Sequence, residues 1–112
     1  MLIGGLGADT LQAGSGGDLL IGGTTSYDNN ASALAAVLAE WSRTDIGYSS
    51  RMAHLNGSTS GGLNGNYLLN STTVQTDGAA NALDGSSGQD WYFAGVLDTV
   101  FNQTSGEVVT PI

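Results

Sequence analysis

The chain reads as a mainly β protein in which very short strands are joined by glycine turns and interrupted by an amphipathic helical segment. Three observations carry this reading. The spacing G-G-x-G-x-D-x-L-x recurs at a step of nine residues near the N-terminus. Glycine supplies 18 of the 112 residues, far above ordinary usage, so turns outweigh long regular elements. Residues 31–43 contain no glycine and carry an apolar stripe at helical spacing. A chain of 112 residues that is 40% hydrophobic can bury one modest core. We therefore read 1–112 as a single domain in three parts: repeats at 1–23, a helical insertion at 24–66, and short strands with degenerate repeats at 67–112.

In the first repeat Gly4, Gly5, Gly7, Asp9 and Leu11 fill the pattern. In the second, Ala13, Gly14, Gly16, Asp18 and Leu20 fill it, with Ala13 in place of the first glycine. Gly22 and Gly23 open a third copy that breaks off. Each half of the nonapeptide has a physical task. The glycines permit positive φ and close backbone approach, so six residues make a tight turn with inward carbonyls. The aspartate adds a hard anionic oxygen of the kind Ca²⁺ prefers. The following x-L-x is a minimal strand whose leucine points inward, and one unit cannot bury it alone, so copies must stack.

These residues resemble the haemolysin-type repeats-in-toxin (RTX) nonapeptide family, over about a fifth of the chain. The resemblance implies a calcium-bound parallel β-roll from a large secreted bacterial protein, with ions held between turns two copies apart. Carried onto this sequence, Asp9 with the carbonyls around Gly5 and Gly7 lines one site, faced by the Gly22–Gly23 turn. Asp18 with Gly14 and Gly16 lines another on the opposite edge. Its facing turn is interrupted locally, and the Gly85–Asp90 turn supplies it across the insertion.

The helical insertion is justified element by element. Thr24 to Asn30 form a polar exit, with Asp28, Asn29 and Asn30 as candidate helix N-caps. Leu34, Val37, Leu38 and Trp41 follow at i, i+3, i+4 and i+7 and predict a helix over 31–43. Residues 48–55 predict a second helix with Tyr48, Met52 and Leu55 on one face, ended by Asn56-Gly57. A Gly/Ser/Asn loop runs to residue 66, and Tyr67–Leu69 and Thr73–Gln75 read as short strands. The helical segment is expected to cap the roll, because terminal repeats must cover exposed strands.

The nonapeptide step then returns in weaker form. Residues 85–93 keep Gly85, Gly88 and Asp90, with Ser86 at the second glycine and Tyr92 at the inward apolar position. Stepping back nine residues puts Asn81 at the acid position and Leu83 at the apolar one. Stepping forward finds Asp98-Thr99-Val100 one residue out of step. Asp28, Asp77, Asp84 and Asp98 are open to two readings, as ligands or as turn caps through Asx hydrogen bonds.

Net charge is −8, ten carboxylates against Arg43 and Arg51. This disfavours nucleic acid and anionic membrane as partners and favours bound cations. Arg43 and Arg51 read as salt-bridging or solvated. No cysteine is present, which excludes disulfides and thiolate sites. No membrane-spanning run is visible. His54 has no second histidine or metal-ligand spacing around it and is expected to interact with the end of the second helix. No G-x-S-x-G occurs. Asp84 and Asp90 occupy repeat positions, so a glycosidase-like carboxylate pair is the weaker reading. Trp41 reads as core. Trp91 and Phe93 either pack under the helix or, if exposed, offer a stacking surface for carbohydrate. The chain is thus expected to be a non-enzymatic, extracellular, calcium-binding module of a larger parent protein. It would fold on Ca²⁺ as a capping or secretion-linked domain. The alternative is calcium-dependent self-assembly or adhesion at the cell surface, through stacked copies or a bound carbohydrate or protein.

Overall fold

The computed structural model describes residues 1–112, which form two compact units: residues 1–25 with 74–112, and residues 26–73.

The first unit is built almost wholly of short strands. Its order is β1 (Leu2–Ile3), β2 (Thr10–Gln12), β3 (Leu19–Ile21) and β4 (Thr24–Thr25), then β5 (Val74–Gln75), β6 (Ala82–Asp84), β7 (Trp91–Ala94), β8 (Thr99–Phe101) and β9 (Val108–Pro111). Apart from the β4–β5 pair, successive strands alternate between two parallel sheets, of order β1-β3-β7-β9 and β2-β6-β8. The register follows the sequence repeat. Leu2 pairs with Leu20, two nonapeptides on. Leu20 pairs with Tyr92 and Leu11 with Leu83, each 72 residues on, so the layers rejoin in phase after the long excursion. The next layer is shorter: Tyr92 pairs with Val109 and Leu83 with Val100, 17 residues on. This missing residue is the slip seen in the sequence at Asp98.

The apolar residue of each nonapeptide supplies the core. Leu11, Leu20, Leu83, Tyr92 and Ala94 form one buried cluster, with Leu2, Ala13 and Val100 packed against it. A fully buried side chain of this size stabilises by about 2 kcal/mol, which a three-residue strand gains only in a stack. Trp91 and Phe93 are also buried, with ring centroids 4.7 Å apart, and Trp91 Nε1 donates to Thr110 Oγ1 at 2.8 Å. They therefore offer no stacking surface to carbohydrate. The chain leaves and returns through antiparallel β4 and β5, where Thr24 pairs with Gln75. Thr73–Gln75 thus contributes a strand at Val74–Gln75, whereas Tyr67–Leu69 pairs with no strand.

The second unit carries α1 (Ala31–Trp41) and α2 (Tyr48–Asn56). Asn30 is the N-cap of α1, its side chain accepting from the Ala33 N–H at 3.1 Å. The buried face is Ala33, Val37, Glu40 and Trp41, while Leu38 is 43% exposed. The stripe is therefore rotated from the expected one, and a carboxylate stands where an apolar residue was expected. Gly57, at φ +85°, ends α2 by donating its N–H to the His54 carbonyl. Arg51 lies 4.8 Å from the Trp41 ring centroid and donates to the Trp41 carbonyl, and Trp41 meets Tyr48 edge-on at 5.8 Å.

Where layers stack, glycine is required by space as well as by torsion. Gly88 has φ +130°, and a Cβ there would overlap the Gly16 carbonyl of the neighbouring turn. Gly5, at φ +85°, faces open space. Gly5→Ala is expected to cost about 1 kcal/mol through torsion alone. Gly88→Ala is expected to cost clearly more because backbone must move. Urea unfolding of the two variants under identical conditions checks the order.

Candidate metal centre

The turns between the strands of the first unit fall on two edges. On one edge lie Gly4–Asp9, the interrupted turn that begins at Gly22 and ends at Asn81, and Gly95–Asp98. On the other lie Ala13–Asp18, Gly85–Asp90 and Asn102–Glu107. Each turn ends at the acid position of its repeat, and these positions stack by one recurring bond. The backbone N–H of each residue donates to the side chain of its counterpart in the next layer. Asp9 N–H donates to Asn81 Oδ1 at 2.8 Å, and Asn81 N–H to Asp98 Oδ1 at 2.8 Å. On the other edge Asp18 N–H donates to Asp90 Oδ1 at 2.7 Å, and Asp90 N–H reaches Glu107 Oε1 at 3.4 Å. The two edges are thus ladders, Asp9–Asn81–Asp98 and Asp18–Asp90–Glu107.

The structure brings together the glycines singled out in the sequence. The Gly5 N–H donates to the Gly23 carbonyl at 2.9 Å, so the Gly22–Gly23 turn does lie against the Asp9 turn. Gly22 bonds the Phe93 carbonyl and accepts from Asn81 Nδ2. Gly7 donates to Asp77 Oδ2 at 2.6 Å. Gly14 and Gly16 exchange backbone bonds with Ser87, Gly88 lies on Gly16, and Gly85 lies beneath the Asp90 carboxylate. The Asp18 and Asp90 turns are therefore neighbours, although 72 residues separate them. Ser86 takes the second-glycine position at φ +64° and donates from Oγ to the Ala13 carbonyl at 3.0 Å.

Asp77, Asp84 and Asp98 have both carboxylate oxygens engaged, and they act as turn caps. Asp77 accepts from the Gly7 and Ala79 N–H groups. Asp84 accepts from Asn102 Nδ2 at both oxygens and from the Ser86 N–H. Asp98 accepts twice from Asn81 and from the Gly95 N–H. Those bonds, the Gly7 N–H first at Asp77 and the Asn102 amide first at Asp84, hold both carboxyls below their ordinary range. Asp28 is exposed, and the α1 cap is Asn30. Glu107 completes the second ladder and was missed as a site residue. Its signal was the step of 17 from Asp90, the same short step that separates Asn81 from Asp98.

The other ladder carboxylates are less well met by donors. Asp9 Oδ2 and Asp18 Oδ2 are buried and meet no hydrogen-bond donor. Asp90 is fully buried, and its carboxyl is pushed up to about 6, by burial first and then by Glu107 and Asp18. The adjacent Tyr92 hydroxyl is pushed up to about 12 by burial and by Glu107 and Asp90. Both arginines and the histidine belong to the second unit, so seven of the ten carboxylates share a unit without a basic side chain. No three His, Cys, Asp or Glu side chains converge into a ready metal-holding group. A cation at these edges would take one or two carboxylates and complete its shell with turn carbonyls. Such a donor set is all oxygen and fits a hard ion.

The sign of the Asp90 shift makes a prediction for the chelator-treated protein. Its folded pKa, about 6, lies above the ordinary 3.8 of an aspartate. Its ionisation therefore favours the unfolded chain as pH rises from about 4 to about 6, and leaves stability unaffected below that window. Asp90→Asn is expected to gain on the parent protein across that window by about 3 kcal/mol. Thermal melts of both proteins in chelator at pH 4, 5 and 7 check it; an unchanged gap denies Asp90 its burial penalty.

No protein-family model, curated protein or solved structure matches this chain.

Proposed function

We propose that the protein is a calcium-binding module in which residues 1–25 and 74–112 form a parallel β-roll whose folding is coupled to Ca²⁺. One observation carries this reading. Two ladders of stacked acid positions lie in a unit that holds seven carboxylates and no basic side chain. In such a unit the countercharge must come from protons or from bound cations, and at neutral pH protons are scarce. Asp9 would hold an ion with carbonyls of the Gly5–Gly7 and Gly22–Gly23 turns. Asp18 and Asp90 would hold another with carbonyls of the Gly14–Gly16 and Gly85–Gly88 turns. A bound divalent ion supplies charge neutralisation there and turns binding energy into folding energy. The chain's own part is to stack the turns and to offer buried oxygens.

The same reading accounts for a chain without cysteine, since a metal can staple a small domain in place of disulfides. Extracellular modules of this kind bind Ca²⁺ in the region of 10⁻⁴–10⁻³ M. Such tuning would leave the chain loose in low-calcium cytosol and folded after export, as a secretion-linked segment of a larger parent protein. No convergent acid, base and nucleophile appears along the ladders, so we assign no catalytic activity to them. No helix is long and apolar enough to cross a membrane.

A second reading, self-assembly of copies, is favoured by the last layer. Its edge strands β8 and β9 each have a neighbour on one side only. Val96, Leu97 and Phe101 nearby are 99%, 58% and 48% exposed. Copies stacked head to tail, the last layer of one on the first layer of the next, would make a contact that does not close on itself.

Titration with Ca²⁺ followed by circular dichroism, with Mg²⁺ as control, tests the first reading. A cooperative gain of structure specific to Ca²⁺ is expected, and a signal indifferent to Ca²⁺ and chelator overturns it. Asp9→Asn and Asp18→Asn are each expected to raise the midpoint at least tenfold. Asp77→Asn is expected to change it little, since Asp77 is committed to its turn. Sedimentation at both ends of the titration separates a monomeric module from an assembly.

A further inference from the structure

The second unit contains a buried carboxylate that the calcium reading does not use. Glu40 is fully buried, and three groups converge on it. The Leu63 N–H donates to Oε1 at 2.7 Å, Arg43 Nη1 to the same oxygen at 3.1 Å, and His54 Nδ1 lies 3.1 Å from Oε2. Burial raises the Glu40 carboxyl, but the Leu63 N–H, His54 and Arg43 outweigh it and hold the group below its usual range. Glu40 is therefore ionised and can only accept. The His54 Nδ1 therefore donates to it, and in the neutral ring Nε2 is left as an acceptor. His54 is thus not engaged at the helix end as the sequence suggested; its ring is fixed by a carboxylate from the other helix.

His54 lines a cavity of about 520 Å³ walled by the loop after α2. The loop is anchored to the same pair of residues. Leu63 bonds Glu40, and Asn64 Nδ2 donates to the carbonyls of His54 and Tyr67 at 3.2 and 3.0 Å. At Gly62 a Cβ would crowd Asn64 Oδ1, the His54 Cβ and Glu40 Oε1, so the loop closes tightly on the pair. Asn64 is 1% exposed, and its Oδ1 is buried with no donor. The polar side chains of the wall are His54, Thr59, Ser60, Asn64 and Asn66, with no carboxylate, lysine or arginine, and Leu68 is the one large apolar residue among them. Such a wall, with polar side chains beside Leu68 and no lysine or arginine to pair with an anion, suits a neutral ligand rich in hydroxyl groups.

We propose that this cavity binds a neutral saccharide, with His54 Nε2 accepting a ligand hydroxyl and Glu40 acting as the residue that positions the imidazole. This site is independent of the calcium reading and of Trp91, which is buried.

The test uses the full chain with Ca²⁺ present and a panel of neutral probes: glucose, galactose, N-acetylglucosamine, maltose and cellobiose. Binding is read by calorimetry and by the ¹⁵N resonances of the His54 ring. At least one sugar is expected to bind and to move the Nε2 resonance. Ser60 and Asn66 make no hydrogen bond within the protein, so their substitution spares the fold. Ser60→Trp, which fills the cavity, is expected to abolish binding, and Asn66→Ala to weaken it about tenfold. Glu40→Gln is expected to weaken binding with redistribution of the ring tautomers, a change that loss of packing alone does not produce. Absence of binding across the panel overturns the proposal. So does binding that leaves the His54 ring unmoved or survives Ser60→Trp.

Discussion

Like charges stacked one layer above another are the constraint on which the parallel part of this protein depends. A parallel stack with a constant step puts equivalent residues of successive repeats side by side, so an acid in the repeat becomes a column of acids. Asp18, Asp90 and Glu107 form one such column, and Asp9 and Asp98 flank Asn81 in the other. The backbone N–H of one layer reaches the side chains of Asn81, Asp90, Asp98 and Glu107 in the next. Asp9 and Asp18 begin the ladders and receive no such bond, and their buried Oδ2 atoms meet no donor. At fixed geometry burial and the neighbouring carboxylates push the Asp90 carboxyl up, so a proton or a cation there relieves the charge.

The acids that do not share this problem clarify it. Asp77, Asp84 and Asp98 are held by several donors each, and the Asn102 amide and the Gly7 N–H depress Asp84 and Asp77. Glu40 is equally buried but sits among Arg43, His54 and a backbone N–H, and stays ionised. Burial therefore does not by itself decide the state of a carboxylate here. The number of donors facing it does.

The two units manage polarity in opposite ways. The first concentrates acids and excludes basic side chains, so its electrostatics stay open to an outside ion. The second is self-contained: Arg43 bridges Glu40 and Asp45, and Arg51 covers Trp41. Its charges are spent on fixing a histidine and a glycine loop around a neutral cavity.

Much of the architecture was legible in the sequence because a nine-residue period leaves little freedom. The inward positions of Leu11, Leu20, Leu83 and Tyr92, both helices and the Gly57 stop all follow from local spacing and torsion, which also narrowed the α1 cap to Asp28, Asn29 or Asn30. So does the juxtaposition of the Asp18 and Asp90 turns, since an interrupted repeat must resume in phase to keep its leucines inside. Tertiary structure decided the rest. Helical periodicity could not tell Leu38 from Glu40 as the inward residue, because a carboxylate is tolerated inside only when donors converge on it, here Arg43 from three residues on and His54 and the Leu63 N–H from the second helix and its loop. The short step that promotes Glu107 to the ladder depends on which strands pair, not on composition. The meeting of His54 with Glu40 depends on how two helices and a glycine loop pack, for which the sequence carries no period.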